Sequence, residues 1–312
     1  MTDGIKTISI EDKEYPKLLK EIADPPKILY YLGEIKSSEN CFAIVGTRRY
    51  SSYGKQVALE IAGDLAEAGL TIVSGLAPGI DTFAHQAVVE RRKLARRSLG
   101  EGGRTIAVLG TGLDEKSIYP KSNLKLAKEI LETGGALISE YPPGTSGAKF
   151  TFPQRNRIIS GLSLGVLIVE AKPPLPNFWC EGKEKSGSGS LITAHYALEQ
   201  KRKVFAIPGS IYSSNSKGCH FLIEKGARLV ENANDILKEL NLPKITRPGL
   251  VEGENEEENL ILNTLKEESL YIDEIIKRTK LPAAAIASTL AILEIKGKVK
   301  NLGGNIYAIN HR

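Results

Sequence analysis

The sequence predicts an α/β fold: a doubly wound, mostly parallel, Rossmann-like sheet followed by a C-terminal winged-helix domain. Three observations carry that reading. Six short β-branched runs, each ending in a small-residue or turn segment, alternate with helical patterns between residues 41 and 240. A Pro-, Gly- and Glu-rich stretch at 241–258 breaks the rhythm. Beyond it, three short helical patterns precede two strand-like runs.

The six runs are CFAIVG (41–46), LTIVSG (70–75), TIAVLG (105–110), GALISE (135–140), GVLIVE (165–170) and KVFAIPG (203–209). Each is apolar on both faces, which suits strands of a parallel sheet buried under helices. Between them GKQVALEIAGDLAEAG repeats apolar residues every four positions (Val57, Ile61, Leu65), and GIDTFAHQAVVERRKL, SNLKLAKEILETG and SLITAHYALEQ behave alike. Strand and helix in strict alternation make consecutive βαβ units. Residues 1–40 are too few for a core of their own, and YPKLLKEIADPPKILYYLGE is expected to pack on the sheet as a helix and strap. Residues 241–258, with Glu252, Glu254, Glu256, Glu257 and Glu258, suit a solvated acidic linker. In 259–312, Pro282 marks the first turn of the third helix and Gly303-Gly304 the tip of a hairpin.

The bulk numbers bound the function. The chain has 312 residues, 41% hydrophobic and 25% charged, the balance of an ordinary globular protein. No apolar run reaches the ~20 residues that span a bilayer, and MTDGIKTISIEDKEYPK lacks an apolar signal core. Cys41, Cys180 and Cys219 are too scattered for a disulfide framework or a zinc site. A cytoplasmic protein is expected. The net charge of +5 is compatible with nucleic-acid binding without requiring it.

Five segments are read as loops at the sheet edge: VGTRRYSSYG (45–54), SGLAPGIDTFAH (74–85), GTGLDEKSIYPKSN (110–123), FPQRNRIISGLS (152–163) and SGSLITA (188–194). In an open α/β sheet the carboxyl ends of the strands form the ligand crevice. Small residues there let backbone N–H groups approach an anion, and the following helices add positive dipole ends. Any single loop is explained as well by a tight βα turn; five together favour a phosphate-containing ligand. The dinucleotide fingerprint GxGxxG and the P-loop GxxxxGK[ST] are both absent. Arg48, Arg49, Lys121, Arg155 and Arg157, with Tyr50, Tyr119 and Phe152 nearby, are the equipment for single-stranded nucleic acid. Salt bridges to Glu140 or Glu170 are the alternative for the arginines, Arg157 first among them. Asp81 and His85 are spaced for a helix-face pair, though a capping role for Asp81 accounts for it as well. The run RRKLARR (91–97) reads as a solvated helix end rather than a DNA contact. No metal or cofactor site is expected.

Taken in order, VGTRRYSSYG, SGLAPGIDTFAH, GTGLDEKSIYPKSN, ISEYPPG, FPQRNRIISGLS, SGSLITA, VFAIPG and LIEKGA closely resemble the DNA-processing protein A (DprA/Smf) family across roughly 41–240. The resemblance implies a homodimer, without catalytic activity, that binds single-stranded DNA and loads the recombinase RecA in natural transformation. It implies that Arg48 of VGTR, Lys121 of YPK, and Arg155, Asn156 and Arg157 of FPQRNR line the DNA pocket. With the loop positions Gly46, Thr47, Ser74, Gly75, Gly110, Gly112, Asn123, Ser188, Ser190 and Thr193, these form the expected nucleic-acid-binding set. Arg155 is the expected DNA contact of its segment, and Arg157 the structural one.

Two departures from the family pattern stand out: with 40 residues ahead of the first core strand, the helical N-terminal domain common in the family is expected to be reduced or missing, and AKPPLPNFWCEGKEKSG (171–187), with Phe178 and Trp179, is inserted before the serine loop. The insertion is expected to be a surface excursion, the alternative being an extra stacking platform. The rival function is a nucleotide phosphoribohydrolase on a related sheet, but PGSIYSSNSKG (208–218) lacks the second glycine and the glutamate of PGGxGTxxE. A duplex-binding regulator working through the winged helix is a third reading, opposed by the acidic linker and the weakly charged third helix.

Overall fold

The computed structural model describes residues 4–97, 103–174, 188–245, 253–266 and 268–310. The chain divides into two compact units, Met1–Ile245 and Thr246–Arg312. Phe178 and Trp179 lie outside the described residues.

The first unit is built on nine strands, β1 (Lys6–Ser9), β2 (Ile28–Gly33), β3 (Cys41–Val45), β4 (Thr71–Ser74), β5 (Arg104–Leu109), β6 (Ala136–Ser139), β7 (Gly165–Ile168), β8 (Lys203–Ala206) and β9 (Arg228–Leu229). Their order across the sheet is β1-β2-β6-β5-β4-β3-β7-β8-β9. From β6 to β9 every pairing is parallel, which obliges each connection to cross over the sheet, mostly as a helix. The helices are α1 (Lys17–Lys20), α2 (Ser52–Glu67), α3 (Ile80–Arg97), α4 (Leu124–Glu132), α5 (Thr151–Gly161), α6 (Gly189–Glu199), α7 (Lys217–Glu224) and α8 (Ala233–Glu239).

Alternation along the strands feeds two cores. Phe42 and Ile44 of β3 pack with Ile61, Leu65, Ile80 and Ile236 from α2, α3 and α8. Ala43 and Val45 of the same strand face Ile158, Ile159, Leu191 and Leu222 from α5, α6 and α7. All of these are nearly sealed from water, and each fully buried large aliphatic or aromatic side chain contributes about 1.5–3 kcal/mol.

The structure departs from the sequence reading at several points. Residues 1–40 are more than a strap: β2 pairs antiparallel with β6 and β1 with β2, so this stretch extends the main sheet. FPQRNRIISG is no loop but helix α5, ahead of β7. Pro153 sits in its first turn, where a backbone N–H has no intrahelical acceptor to lose. In the second unit the acidic run is not wholly linker. Glu256, Glu257 and Glu258 form the first turn of α9 (Glu256–Thr264), capped by Asn255, where carboxylates meet the positive end of the helix dipole.

The second unit continues with β10 (Leu270–Tyr271), α10 (Ile272–Thr279), α11 (Ala283–Ile295), β11 (Val299–Gly303) and β12 (Ile306–Ile309), in the sheet order β10-β12-β11. Three helices over a small antiparallel sheet are a winged helix, closed around Ile261, Ile275, Ile286, Leu290 and Val299. Pro282 is the residue before α11 rather than its first, and the hairpin turns on Gly304 and Asn305, both at positive φ.

Candidate nucleic-acid interface

Chain order reverses between β3 and β7: β3 leads through β4 and β5 to β6 on one side, and the chain returns beside β3 as β7. Ligands of open α/β sheets bind at such a reversal, outside the carboxyl ends of the strands. A crevice of about 890 Å³ lies there. Among the described residues seven cations line it, Arg48, Arg49, Lys116, Lys121, Lys149, Arg155 and Lys172, against one carboxylate, Asp81.

The loop after β3 is held at both ends. The Thr47 N–H donates to the Glu170 carbonyl at 2.8 Å, and Thr47 Oγ1 accepts from the Arg49 N–H at 3.1 Å. The buried Glu170 carboxylate takes the Ser51 N–H at 3.0 Å and the Ser51 hydroxyl at 2.6 Å, while Ser51 caps α2. No expected salt bridge to Glu170 forms with the arginines of this loop among the described residues. Gly46 has no space for a side chain: a Cβ would lie 2.6 Å from Ile80 Cγ1. Arg48 and Arg49 are thus exposed on a loop whose backbone is fixed.

Arg155 corrects the expectation of an open phosphate clamp. Its side chain lines the crevice, but the residue is only 4% exposed, and Nη1 donates to the carbonyls of Gly75 (2.8 Å) and Val108, at the ends of β4 and β5. Nε donates to Asn156 Oδ1 at 3.2 Å. Asp81 Oδ2 accepts the Gly75 N–H at 3.1 Å. Gly75 lets the two charges face each other, since a Cβ there would lie 2.7 Å from both Arg155 Nη2 and Asp81 Oδ2. Burial pushes the Arg155 pKa down to about 10 against the pull of Asp81, and raises that of Asp81 against the pull of Arg155. Arg155 therefore braces the crevice floor. Asp81 and His85 do not pair. His85 Nδ1 meets the Thr105 hydroxyl at 2.7 Å, and burial lowers its pKa to about 3.

Arg157 turns the other way. It grips Glu140 through two bonds of 2.9 and 2.7 Å and reaches Asp24 at 3.0 Å. It does not line the crevice. Between the two arginines, Asn156 Nδ2 donates to the Gly189 carbonyl at 3.1 Å, fixing the start of α6 against α5. The cap and N-terminal part of that helix bring Ser188, Ser190 and Thr193 to the crevice, Ser188 and Ser190 sharing a 2.9 Å hydroxyl contact.

The loop after β5 forms the opposite wall. Asp114 accepts from the Ser117 N–H and hydroxyl and from the Gly144 N–H; burial would raise its pKa, and these bonds lower it. Lys121 reaches the crevice with Nζ donating to the carbonyls of Glu115 (2.9 Å) and Lys116 (2.6 Å). Tyr119 is half exposed, its ring 5.4 Å from that of Phe152.

Of the expected set, Gly46, Thr47, Arg48, Lys121, Arg155, Asn156, Ser188, Ser190 and Thr193 come together here. The others lie behind the wall. Ser74 donates to the Ile44 carbonyl at 2.6 Å, Asn123 to the Leu76 carbonyl at 2.8 Å, and the Gly112 N–H to the Thr145 carbonyl at 2.9 Å. Gly75 and Gly110 are buried beside them. Sequence reasoning missed Lys116, Lys149 and Lys172. Lys149 left a usable signal: it stands between glycine-rich chain and the rings of Phe150 and Phe152, a cation interleaved with aromatics.

The family model described as DNA recombination-mediator protein A matches residues 6–241, and that of the DprA winged helix domain matches 246–305. The chain belongs to the DNA recombination-mediator protein A family. Among relatives in that family, DNA processing protein DprA of Bacillus subtilis is 44% identical over 76% of this chain and 72% of its own. Protein Smf of Escherichia coli is 36% identical over 95% of this chain and 75% of its own. The X-ray structure of DNA processing protein A from Streptococcus pneumoniae superposes with a TM-score of 0.61 at 42% identity, covering 76% of this chain and 75% of that one. DNA processing protein A from Helicobacter pylori, solved for its single-stranded DNA binding mode, gives 0.60 at 31% identity, covering 76% and 96%. The Bacillus subtilis and Streptococcus pneumoniae relatives are both named DNA processing protein DprA. Among the described residues no helix is long and apolar enough to cross a membrane, and no three acidic, histidine or cysteine side chains are grouped to hold a metal.

Proposed function

We propose that this chain binds single-stranded DNA in the crevice between β3 and β7. The observation that carries the proposal is the set of six exposed cations, Arg48, Arg49, Lys116, Lys121, Lys149 and Lys172, that the described residues bring around a groove floored by fixed backbone, where the one carboxylate among them, Asp81, is buried against Arg155. Such a groove neutralises a phosphate chain without reading sequence. Tyr119 and Phe152 at its wall offer ring faces to unpaired bases, which a duplex keeps stacked inside. The single-stranded DNA binding of the Helicobacter pylori relative agrees with this assignment.

The test is fluorescence anisotropy with oligo-dT across a salt series. Arg48→Ala and Lys149→Ala each weaken binding, and each flattens the slope of log K against log salt by roughly 0.7. Unchanged affinity in both variants, with wild-type melting temperatures, overturns the assignment.

Assembly as a cytoplasmic homodimer and loading of RecA in transformation rest on the resemblance of the motifs. Sedimentation of the full chain and the rate of RecA filament nucleation on protein-coated single strands test the two separately. Release of free base from AMP would instead favour the phosphoribohydrolase reading.

A further inference from the structure

Ile211 and Tyr212 stand 65% and 93% exposed at the tip of the loop between β8 and α7. Large side chains scattered on a surface need no explanation. These two differ because the loop beneath them is tied down and leans on the crevice. The Tyr212 N–H donates to Ser210 Oγ at 3.3 Å, and the Ser213 N–H to the Ser210 carbonyl at 3.0 Å. At the base of the loop, His220 Nε2 donates to the Gly209 carbonyl at 3.0 Å, and the Tyr53 hydroxyl to the Pro208 carbonyl at 2.8 Å.

Asn215 joins this loop to the crevice walls. Its Nδ2 donates to the Arg49 carbonyl at 2.7 Å, and its own carbonyl accepts the Ala171 N–H at 2.8 Å. Arg49 and Lys172, next to Ala171, both line the crevice. On the far side Lys217, exposed, opens α7, and the Gly218 N–H donates to the Ala171 carbonyl at 2.8 Å. A cationic rim thus passes from the crevice to a rigid loop that presents one bare tyrosine ring.

We propose that single-stranded DNA leaving the crevice crosses Arg49 and Lys172 and stacks a base on Tyr212, making the 209–216 loop a second, aromatic subsite of the strand path. The inference rests on the single-stranded DNA reading of the crevice. Phosphates follow the cations, and any base serves, since every base has a stacking face. A braced backbone spends little further entropy when the strand binds, so only the tyrosine side chain has still to be ordered.

Two lengths of oligo-dT, about four and about 16 nucleotides, separate the subsite from the crevice. Tyr212→Ala weakens the longer oligonucleotide by about fivefold or more and leaves the shorter unchanged, while Tyr212→Trp retains binding of both. Arg48→Ala weakens both lengths. An oligonucleotide carrying 5-iododeoxyuridine photo-crosslinks to Tyr212 in the full chain. If Tyr212→Ala binds both lengths like the wild type while Arg48→Ala does not, the subsite is refuted and the crevice reading stands. If Arg48→Ala affects neither length, the crevice reading falls and the subsite with it. A changed sedimentation coefficient for Tyr212→Ala, with DNA binding intact, makes the loop a protein contact and overturns the proposal.

Discussion

Replacing Arg157 by glutamine separates structure from binding inside the FPQRNR segment. The Arg157 side chain is 7% exposed and that of Glu140 12%, joined by two bonds of 2.9 and 2.7 Å. Removing one partner of a buried pair strands the other charge, at about 3–5 kcal/mol. Glu140 keeps some contact with water, so the lower end applies, about 3 kcal/mol. The bond to Asp24, whose side chain is 76% exposed, adds little. For a unit of this size the loss amounts to roughly 6–12 °C in melting temperature. Differential scanning calorimetry measures it, and anisotropy below the transition measures DNA binding. Single-stranded DNA affinity stays at the wild-type value, because Arg157 does not line the crevice. Arg157→Met with Glu140→Leu recovers most of the stability, since no unpaired charge remains. A variant that keeps its melting temperature and loses DNA binding would refute the reasoning.

Gly75→Ala inserts a methyl group 2.7 Å from Arg155 and Asp81; the expected result is a lowered melting temperature together with weaker single-stranded DNA binding, whereas Arg48→Ala loses binding alone. Because His85 is neutral in the fold down to about pH 3 while the unfolded chain takes its proton near pH 6.5, stability falls as pH drops through that window. The slope from this group is at most about 1.4 kcal/mol per pH unit, and denaturant titrations of His85→Asn between pH 7 and 5 should show a correspondingly flatter decline. Helix α11 contains no lysine or arginine, so residues 253–310 alone should show no salt-dependent affinity for duplex DNA, as a gel-shift series would reveal. Tight duplex binding by that fragment would contradict the reading.

Much of this protein was legible before any coordinates. Parallel strands buried on both faces require uninterrupted apolar runs, and CFAIV or GVLI has no other good use in a βα rhythm. That Arg48, Lys121 and the serine loop would meet at the crevice could be foreseen because small residues and cations punctuate the strand ends. Helix α5 was not legible as a helix. Its polar run Gln154-Arg155-Asn156-Arg157 shows no apolar period, yet three of the four are buried, because their partners are supplied by other parts of the chain.

By itself the sequence determined the βα order and the cationic character of the strand ends, which follow from local pattern and composition, and the family, through the resemblance of its ordered motifs. Only the tertiary structure decided which cations face solvent. The choice between Arg155 as a floor brace and Arg157 as an ion-pair anchor depends on a carbonyl and carboxylates supplied by other segments of the chain: Val108, Glu140 and Asp24. A guanidinium reads the same in a sequence whether it serves a phosphate or a buried carbonyl. Its burial and its acceptors, set by how distant segments meet, make the difference.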